Sequence, residues 1–283
     1  MPELPEVEIV SRQLRENIPR GTRITEIEFL TPALRTVVDK ATIQRLVGEP
    51  LEAISRRAKY ILFHTRRGIL LSHLGMTGTW RFDDGPLIKH DHLRIYFAAG
   101  PSCVGGKGAK GAKAATCTLI YNDPRRFGQV ALLDLDHQRF ADLGPEPLGP
   151  DFSGASFYED CRRSKATIKA VLMNPTVVVG VGNIYASEVL FRSHVRPGRR
   201  ANRVSKKESA LIVDSVRKVL SEAIAAGGSS IRNFRGLDSA QGHFQKRHRV
   251  YGREGEPCPT CAEPIRRTVL AGRGSFWCGH CQK

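Results

Sequence analysis

The sequence predicts an α+β, multidomain chain: an N-terminal β-sandwich or flattened barrel flanked by helices, then a helical domain, then a zinc β-hairpin. Three observations carry this. Between residues 22 and 134 short apolar runs are separated by Gly, Pro and Asp; beyond residue 150 the apolar spacing becomes helical; and four of the seven cysteines form two C-x2-C pairs at the C-terminal end.

The first element is a helix over residues 3–17, with Leu4, Val7, Ile9, Val10 and Leu14 mostly on one side. Its start, MPELPEVE, has a simple explanation in helix grammar. Proline is tolerated in a first turn because the N–H it lacks is unpaired there anyway, and glutamate suits the positive end of the helix dipole. Strands are predicted in TRITEIEFL, KYILFH, GILLSHLG, LRIYFAA, TCTLIYN and GQVALLDL. Residues 104–115, rich in Gly, Ala and Lys with nothing to bury, read as a flexible basic loop. The proline-rich LGPEPLGPD marks a linker. Helices follow at about 154–163, 164–174, 183–193 and 205–226, the last stopped by Gly227 and Gly228. The resulting division is 1–135 for the β domain, 136–152 for the linker, 153–240 for the helical domain and 241–283 for the hairpin. No internal repeat is visible.

The balance of 44 Lys+Arg against 28 Asp+Glu leaves +16, which favours a polyanionic partner, since a basic surface attracts nucleic acid by releasing condensed counterions. No apolar run approaches the ~18 residues of a membrane span, and the acidic start lacks the basic and apolar regions of a signal peptide. A soluble intracellular protein without membrane attachment is expected.

Cys258, Cys261, Cys278 and Cys281 have the spacing of a tetrahedral zinc site, in which two knuckles bring four thiolates around one ion. Two disulfides are the alternative. His280, inside the second knuckle, reads as an exposed loop residue. Between the knuckles, AEPIRRTVLAGRGSFW reads as strand, basic turn, strand, with Arg273 at the tip placed to enter a groove or grip phosphates.

Further stretches carry chemistry. VVVGVGNIYASE combines a glycine turn with Asn183, a favoured N-cap, ahead of a helix whose N-terminus is a ready phosphate site; it is equally an ordinary helix–turn–helix connection. DPRRFG sets Arg125 beside Phe127 in a turn, suited to an aromatic wedge and a guanidinium entering DNA, or to a type I turn with solvated arginines. SHLGMTG presents Met76 on a loop or buries it. RRAKYILF places Lys59 in a strand, as a surface amine or one beside a reaction centre. His90 in HDH, without partners at ligand spacing, suits a phosphate contact or a strand end better than a second metal.

Together these stretches resemble bacterial formamidopyrimidine-DNA glycosylase. The resemblance spans essentially the whole chain, through MPELPEVE, RRAKY, HLGMTG, KHDH, NDPRRFG, LGPEPL, GVGNIYASE, VYGREGEPC and the four-cysteine hairpin. It implies a helix-two-turn-helix domain in the helical half, one structural zinc, and a cytoplasmic, nucleoid-associated monomer acting on duplex DNA that carries an oxidised purine or an abasic site. It also implies a bifunctional glycosylase and abasic-site lyase. Once Met1 is removed, the secondary amine of Pro2 attacks C1′ and forms a Schiff base that drives β,δ-elimination. An α-amino group titrates at about 7.7–8.0, and a helix N-terminus favours its neutral form further.

By the same resemblance Glu3 supplies proton chemistry at the sugar oxygen, and Lys59 binds phosphate and assists. Glu6 orients the amine or the first-turn amides beside the DNA. Arg273 joins Pro2, Glu3 and Lys59 in the catalytic set while holding a backbone phosphate; His90 and Asn183 also meet the backbone, Met76, Arg125 and Phe127 fill the vacated stack, and Ser229 and Ser230 help select the extruded base.

Two stretches depart from the family pattern. Asn174-Pro175-Thr176 stand where relatives have an acidic or amide residue followed by Lys, so the turn before GVGN is expected to differ in shape. The 104–115 tract looks inserted, and is expected to add salt-sensitive, non-specific DNA affinity only. The nearest rival is an endonuclease VIII-like enzyme for oxidised pyrimidines, disfavoured by Leu4 and the PRRF segment. An inactive DNA-binding homologue is disfavoured by the intact Pro2, Glu3 and Lys59. A zinc-ribbon RNA-binding factor leaves the N-terminus unexplained.

Overall fold

The computed structural model describes residues 2–83, 85–98, 117–229 and 244–283, so Ser230 and the 104–115 tract lie outside the described residues. The chain divides into two compact units, Met1–Gln138 with Gly227–Gly242, and Arg139–Ala226 with His243–Lys283.

The first unit opens with α1 (Leu4–Asn17), which buries Leu4, Val7, Val10 and Leu14, while Glu8 on its flank accepts from Arg12, Arg15 and Arg56. Then follow β1 (Ile24–Phe29), α2 (Lys40–Gln44), β2 (Ala53–Arg57), β3 (Tyr60–Thr65), β4 (Gly68–His73), β5 (Thr79–Phe82), β6 (Asp91–Phe97), β7 (Cys117–Asn122) and β8 (Gln129–Leu133). They form two antiparallel sheets, ordered β1-β6-β7-β5 and β2-β3-β4-β8, whose inner residues merge with those of α1 into one core. Trp80 of β5 joins the sheets: its ring lies 5.7 Å from Phe63 of β3, and its Nε1 donates to Ser72 Oγ of β4 at 3.0 Å. The architecture is the expected sandwich.

Three short elements were not predicted, and each had a reason to be missed. β2 is polar at its end, β5 buries only Trp80, and α2 buries only Ile43. Lys59 is not in a strand but in the β2–β3 turn, which Ala58 enters at φ 54°.

The second unit contains α3 (Gly154–Arg162), α4 (Ile168–Leu172), α5 (Asn183–Arg192), α6 (Lys206–Ala225) and the hairpin β9 (Ile265–Leu270) and β10 (Arg273–Cys278). Ser205 and Glu208 form a capping box that starts α6, and Gly227 follows its end at φ 78°. The helix expected over 164–174 shrinks to α4 because Thr167 Oγ1 caps Ala170 N–H and the chain turns before Pro175. α5 is buried from Ile184 to Phe191 and forms the centre of the unit. From it the Glu188 carboxylate accepts the N–H groups of Arg249, Val250 and Tyr251, fixing the approach to the hairpin. No helix among the described residues is long and apolar enough to cross a membrane.

Candidate active site and nucleic-acid interface

The first turn of α1 departs from ordinary helix grammar. Glutamates that only complement a helix dipole sit in water, whereas Glu3 and Glu6 are each 2% exposed and Pro2 beside them is buried. One Glu6 carboxylate oxygen accepts the Glu3 N–H at 2.8 Å and the other accepts the Ser229 N–H, also at 2.8 Å. Gly228 is required there: it has φ +78°, and a Cβ would come within 3.2 Å of Glu6 Oε1. Glu6 therefore fixes both the start of α1 and the backbone at Ser229, which is itself buried. Ser230 lies outside the described residues.

A second group of residues lies on the β4–β5 and β7–β8 loops of the same unit. Met76 and Phe127 are 38% and 45% exposed, an unusual state for two large apolar side chains on adjoining loops. The Arg125 guanidinium sits 4.7 Å from the Phe127 ring centroid. Beside them opens a cavity of about 540 Å³ lined by Leu34, Arg35, His73, Gly75, Met76, Arg126 and Phe127. The loops interlock through Tyr121 of β7, whose hydroxyl would meet a Cβ on Gly78 at 2.2 Å and on Gly128 at 1.8 Å. Burial, then the nearby Asp123 carboxylate, pushes the Tyr121 phenol well above its ordinary range.

His90 lies in the turn before β6 at φ 74°, half-buried. The HDH segment is no metal pair, because Asp91 and His92 are committed elsewhere. Asp91 takes both Arg81 amine groups at 2.6 and 2.7 Å, Asn122 Nδ2 at 2.8 Å and the Ile88 N–H at 2.9 Å, and His92 Nε2 pairs with the Asp123 carbonyl at 2.8 Å. Burial alone raises the Asp91 pKa, but the hydrogen bonds from Arg81, Asn122 and Ile88 outweigh it and hold the carboxyl below its ordinary value.

In the second unit Asn183 is not the N-cap of α5. Gly182 holds that position, and Asn183 turns its amide to the hairpin, donating to the Gly274 carbonyl at 3.0 Å. It also accepts from Lys169 Nζ at 2.7 Å, and the same ammonium donates to Ser275 Oγ at 2.8 Å and the Gly274 carbonyl at 3.2 Å. Lys169 is 2% exposed. Arg273, exposed just after the Ala271–Gly272 turn, shares with Lys169 a cavity of about 240 Å³ also lined by Thr167, Ala170, Met173, Leu270 and Ala271. The pairing of an exposed and a buried cation around one concavity suits an anion.

Sequence reasoning missed Lys169, Thr77 and Asp123. A lysine between Ile168 and the apolar pair Val171 and Leu172 was the one available signal for the first; the other two lie inside SHLGMTG and DPRRFG, where no local pattern shows that their side chains meet.

At the hairpin base the four cysteine sulfurs lie within 4.8 Å of one another, Cys258–Cys281 at 3.9 Å and Cys261–Cys278 at 3.5 Å. Tetrahedral zinc with bonds near 2.3 Å puts sulfurs roughly 3.8 Å apart, so the set fits that ion. Thr260 N–H points at Cys258 Sγ and Cys281 N–H at Cys278 Sγ, which stabilises thiolates. Gln282 bonds the Cys278 N–H and the Val195 carbonyl, anchoring the second knuckle to its own unit.

Residues 1–130 match the formamidopyrimidine-DNA glycosylase N-terminal domain, residues 143–235 the H2TH domain of that glycosylase, and residues 255–283 the zinc finger found in FPG and IleRS. The chain belongs to the formamidopyrimidine-DNA glycosylase family. It is 43% identical over 286 residues to the formamidopyrimidine-DNA glycosylase of Bdellovibrio bacteriovorus and 44% identical over 288 residues to that of Aromatoleum aromaticum, in both cases with 100% of each chain covered. Among solved structures it resembles the MutM (FPG) protein from Thermus thermophilus, at 35% identity and TM-score 0.84, covering 99% of this chain and 98% of that one. It also resembles a Lactococcus lactis FPG mutant in complex with Fapy-dG containing DNA, at 37% identity and TM-score 0.86 with 100% of both chains covered. With its FPG-type zinc finger and clustered cysteines, the chain has the site for one structural Zn2+.

Proposed function

We propose that this chain excises oxidised purines from duplex DNA and then cleaves the backbone, with Pro2 as the nucleophile. As a member of its family it is a DNA glycosylase and abasic-site lyase in base-excision repair. The observation that carries the residue assignment is the burial of Glu3 and Glu6 in the turn that begins at Pro2.

After Met1 is removed, the Pro2 nitrogen bonds C1′ of the extruded nucleotide and the base leaves with the glycosidic electron pair. Glu3 protonates the sugar ring oxygen as the ring opens to the iminium; loss of the C2′ proton then expels the 3′ phosphate, and loss of the C4′ proton from the conjugated iminium so formed expels the 5′ phosphate. Glu6 holds the Glu3 amide and the Ser229 amide still while this happens. Lys59, His90, Asn183 and Arg273 neutralise phosphates, Lys169 keeping Asn183 in place. Extrusion costs a few kcal/mol, offset by insertion of Met76, Arg125 and Phe127 into the gap. Ser229 and Ser230 belong to the segment that meets the displaced base.

Relatives solved with Fapy-dG and with carbocyclic 8-oxo-G containing DNA support a purine lesion over the oxidised-pyrimidine alternative. The protein acts as a cytoplasmic monomer on DNA. Borohydride reduction in the presence of a duplex with 8-oxoguanine opposite cytosine tests the chemistry. A covalent adduct that disappears in Pro2→Gly is expected; its absence from wild-type protein with a processed N-terminus would refute the mechanism.

A further inference from the structure

Asp123 is fully buried where three loops of the first unit meet. Its Oδ1 accepts the Thr77 hydroxyl at 2.5 Å, from the loop that presents Met76, and the Arg125 N–H at 3.3 Å. Its Oδ2 accepts the Gly128 N–H at 2.8 Å, on the far side of Phe127. Its own N–H donates to the His90 carbonyl at 3.1 Å, and its carbonyl pairs with His92 Nε2.

A carboxylate taken wholly out of water is expensive unless its oxygens are satisfied. Among the described residues no Lys or Arg forms an ion pair with it; the donors are the Thr77 hydroxyl on the β4–β5 loop and the Arg125 and Gly128 amides on the β7–β8 loop. A simple turn-forming Asp bonds the amides of its own turn and stays in solvent. Asp123 also bonds amides of its own turn, those of Arg125 and Gly128, but it is buried and its Oδ1 takes the Thr77 hydroxyl from the β4–β5 loop as well; an asparagine, with one acceptor oxygen, cannot keep both the Thr77 and the Gly128 bonds.

We propose that Asp123 is the positioning residue that sets Met76, Arg125 and Phe127 in fixed register with His90. Insertion into the base stack and contact with the phosphate are then one rigid event. This rests on the roles given above for those four residues. A displacement on the order of 1 Å in such a constellation is enough to slow catalysis about a hundredfold.

The test compares Asp123→Asn with Thr77→Val, which removes only the hydroxyl donor, and Thr77→Ser, which keeps it. Three readouts are needed: single-turnover excision of 8-oxoguanine opposite cytosine, borohydride trapping on a duplex with a preformed abasic site, and the fluorescence of 2-aminopurine next to a tetrahydrofuran abasic analogue. An abasic nucleotide has no base to unstack and depends least on gap filling. Asp123→Asn and Thr77→Val are expected to slow excision by roughly tenfold or more, with trapping kept within about twofold and the 2-aminopurine signal reduced, while Thr77→Ser behaves as wild type. Unchanged excision in both variants, or an equal fall in excision and trapping, would overturn the proposal. Failure of wild-type protein to form the adduct counts against Pro2 instead, because the 2-aminopurine readout needs no chemistry.

Discussion

Lys169 Nζ lies 2.7 Å from Asn183 Oδ1, and this contact decides where the Asn183 amide points. The same ammonium reaches Ser275, so a single buried side chain ties α4 to α5 and to β10. In Lys169→Met, Asn183 and Ser275 each lose a charged partner, with a loss of about 1–3 kcal/mol in affinity for abasic-analogue duplex. Fluorescence anisotropy measures it, and an unchanged Kd would remove Lys169 from the interface.

The contact of Gly128 with Tyr121 makes a second prediction. A methyl at Gly128 falls 1.8 Å from the Tyr121 hydroxyl, so Gly128→Ala should destabilise the protein by about 1–3 kcal/mol and slow excision. Removing the hydroxyl in Tyr121→Phe relieves part of the clash, giving a coupling energy of about 0.5 kcal/mol or more in a double-mutant cycle. Additive urea midpoints would show that the two side chains do not meet.

Zinc removal should act on the hairpin. Chelation is expected to release about one equivalent per chain and to weaken DNA binding, since structural zinc contributes directly to folding energy. Metal-free protein that binds DNA as well as the loaded form would end that role.

Stability should fall in acid through Asp91. Its folded pKa is depressed, so the stabilisation is present above the unfolded value of about 3.9 and is lost as pH falls from there through the folded pKa. In Asp91→Asn the thermal midpoint should be lower at neutral pH and decline less steeply below about pH 4. Parallel pH profiles of the two proteins would contradict this.

Deleting residues 104–115 removes Lys107, Lys110 and Lys113. The slope of log K against log salt should shrink by up to about 3, with lesion preference unchanged. A shifted preference would show that the tract takes part in recognition.

The parts legible in the sequence were those with local signatures. α1 and α6 announced themselves through apolar spacing and caps, and the metal hairpin through its cysteine spacing. β2 and β5 did not, because strands of five and four residues that carry arginines and few buried apolar residues have too few alternations to show a period. Lys59 was misplaced for a similar reason: the Tyr60–Thr65 apolar run extends to its edge, and only the positive φ at Ala58 ends the preceding strand. Asn183 looked like a cap because its type favours that position, and a tertiary partner at Gly274 outweighed the preference.

The sequence by itself determined the kinds of element, the zinc-type cysteine set, the basic charge and the family, since periodicity, spacing and motif order are written in neighbouring residues. Tertiary structure alone decided that Glu3 and Glu6 are buried, that the Ser229 amide closes on Glu6 from 223 positions away, that Thr77 meets Asp123 across 46, and that Lys169 meets Ser275 across 106. Such contacts depend on where packing within each core brings the chain back upon itself, and no local pattern records that.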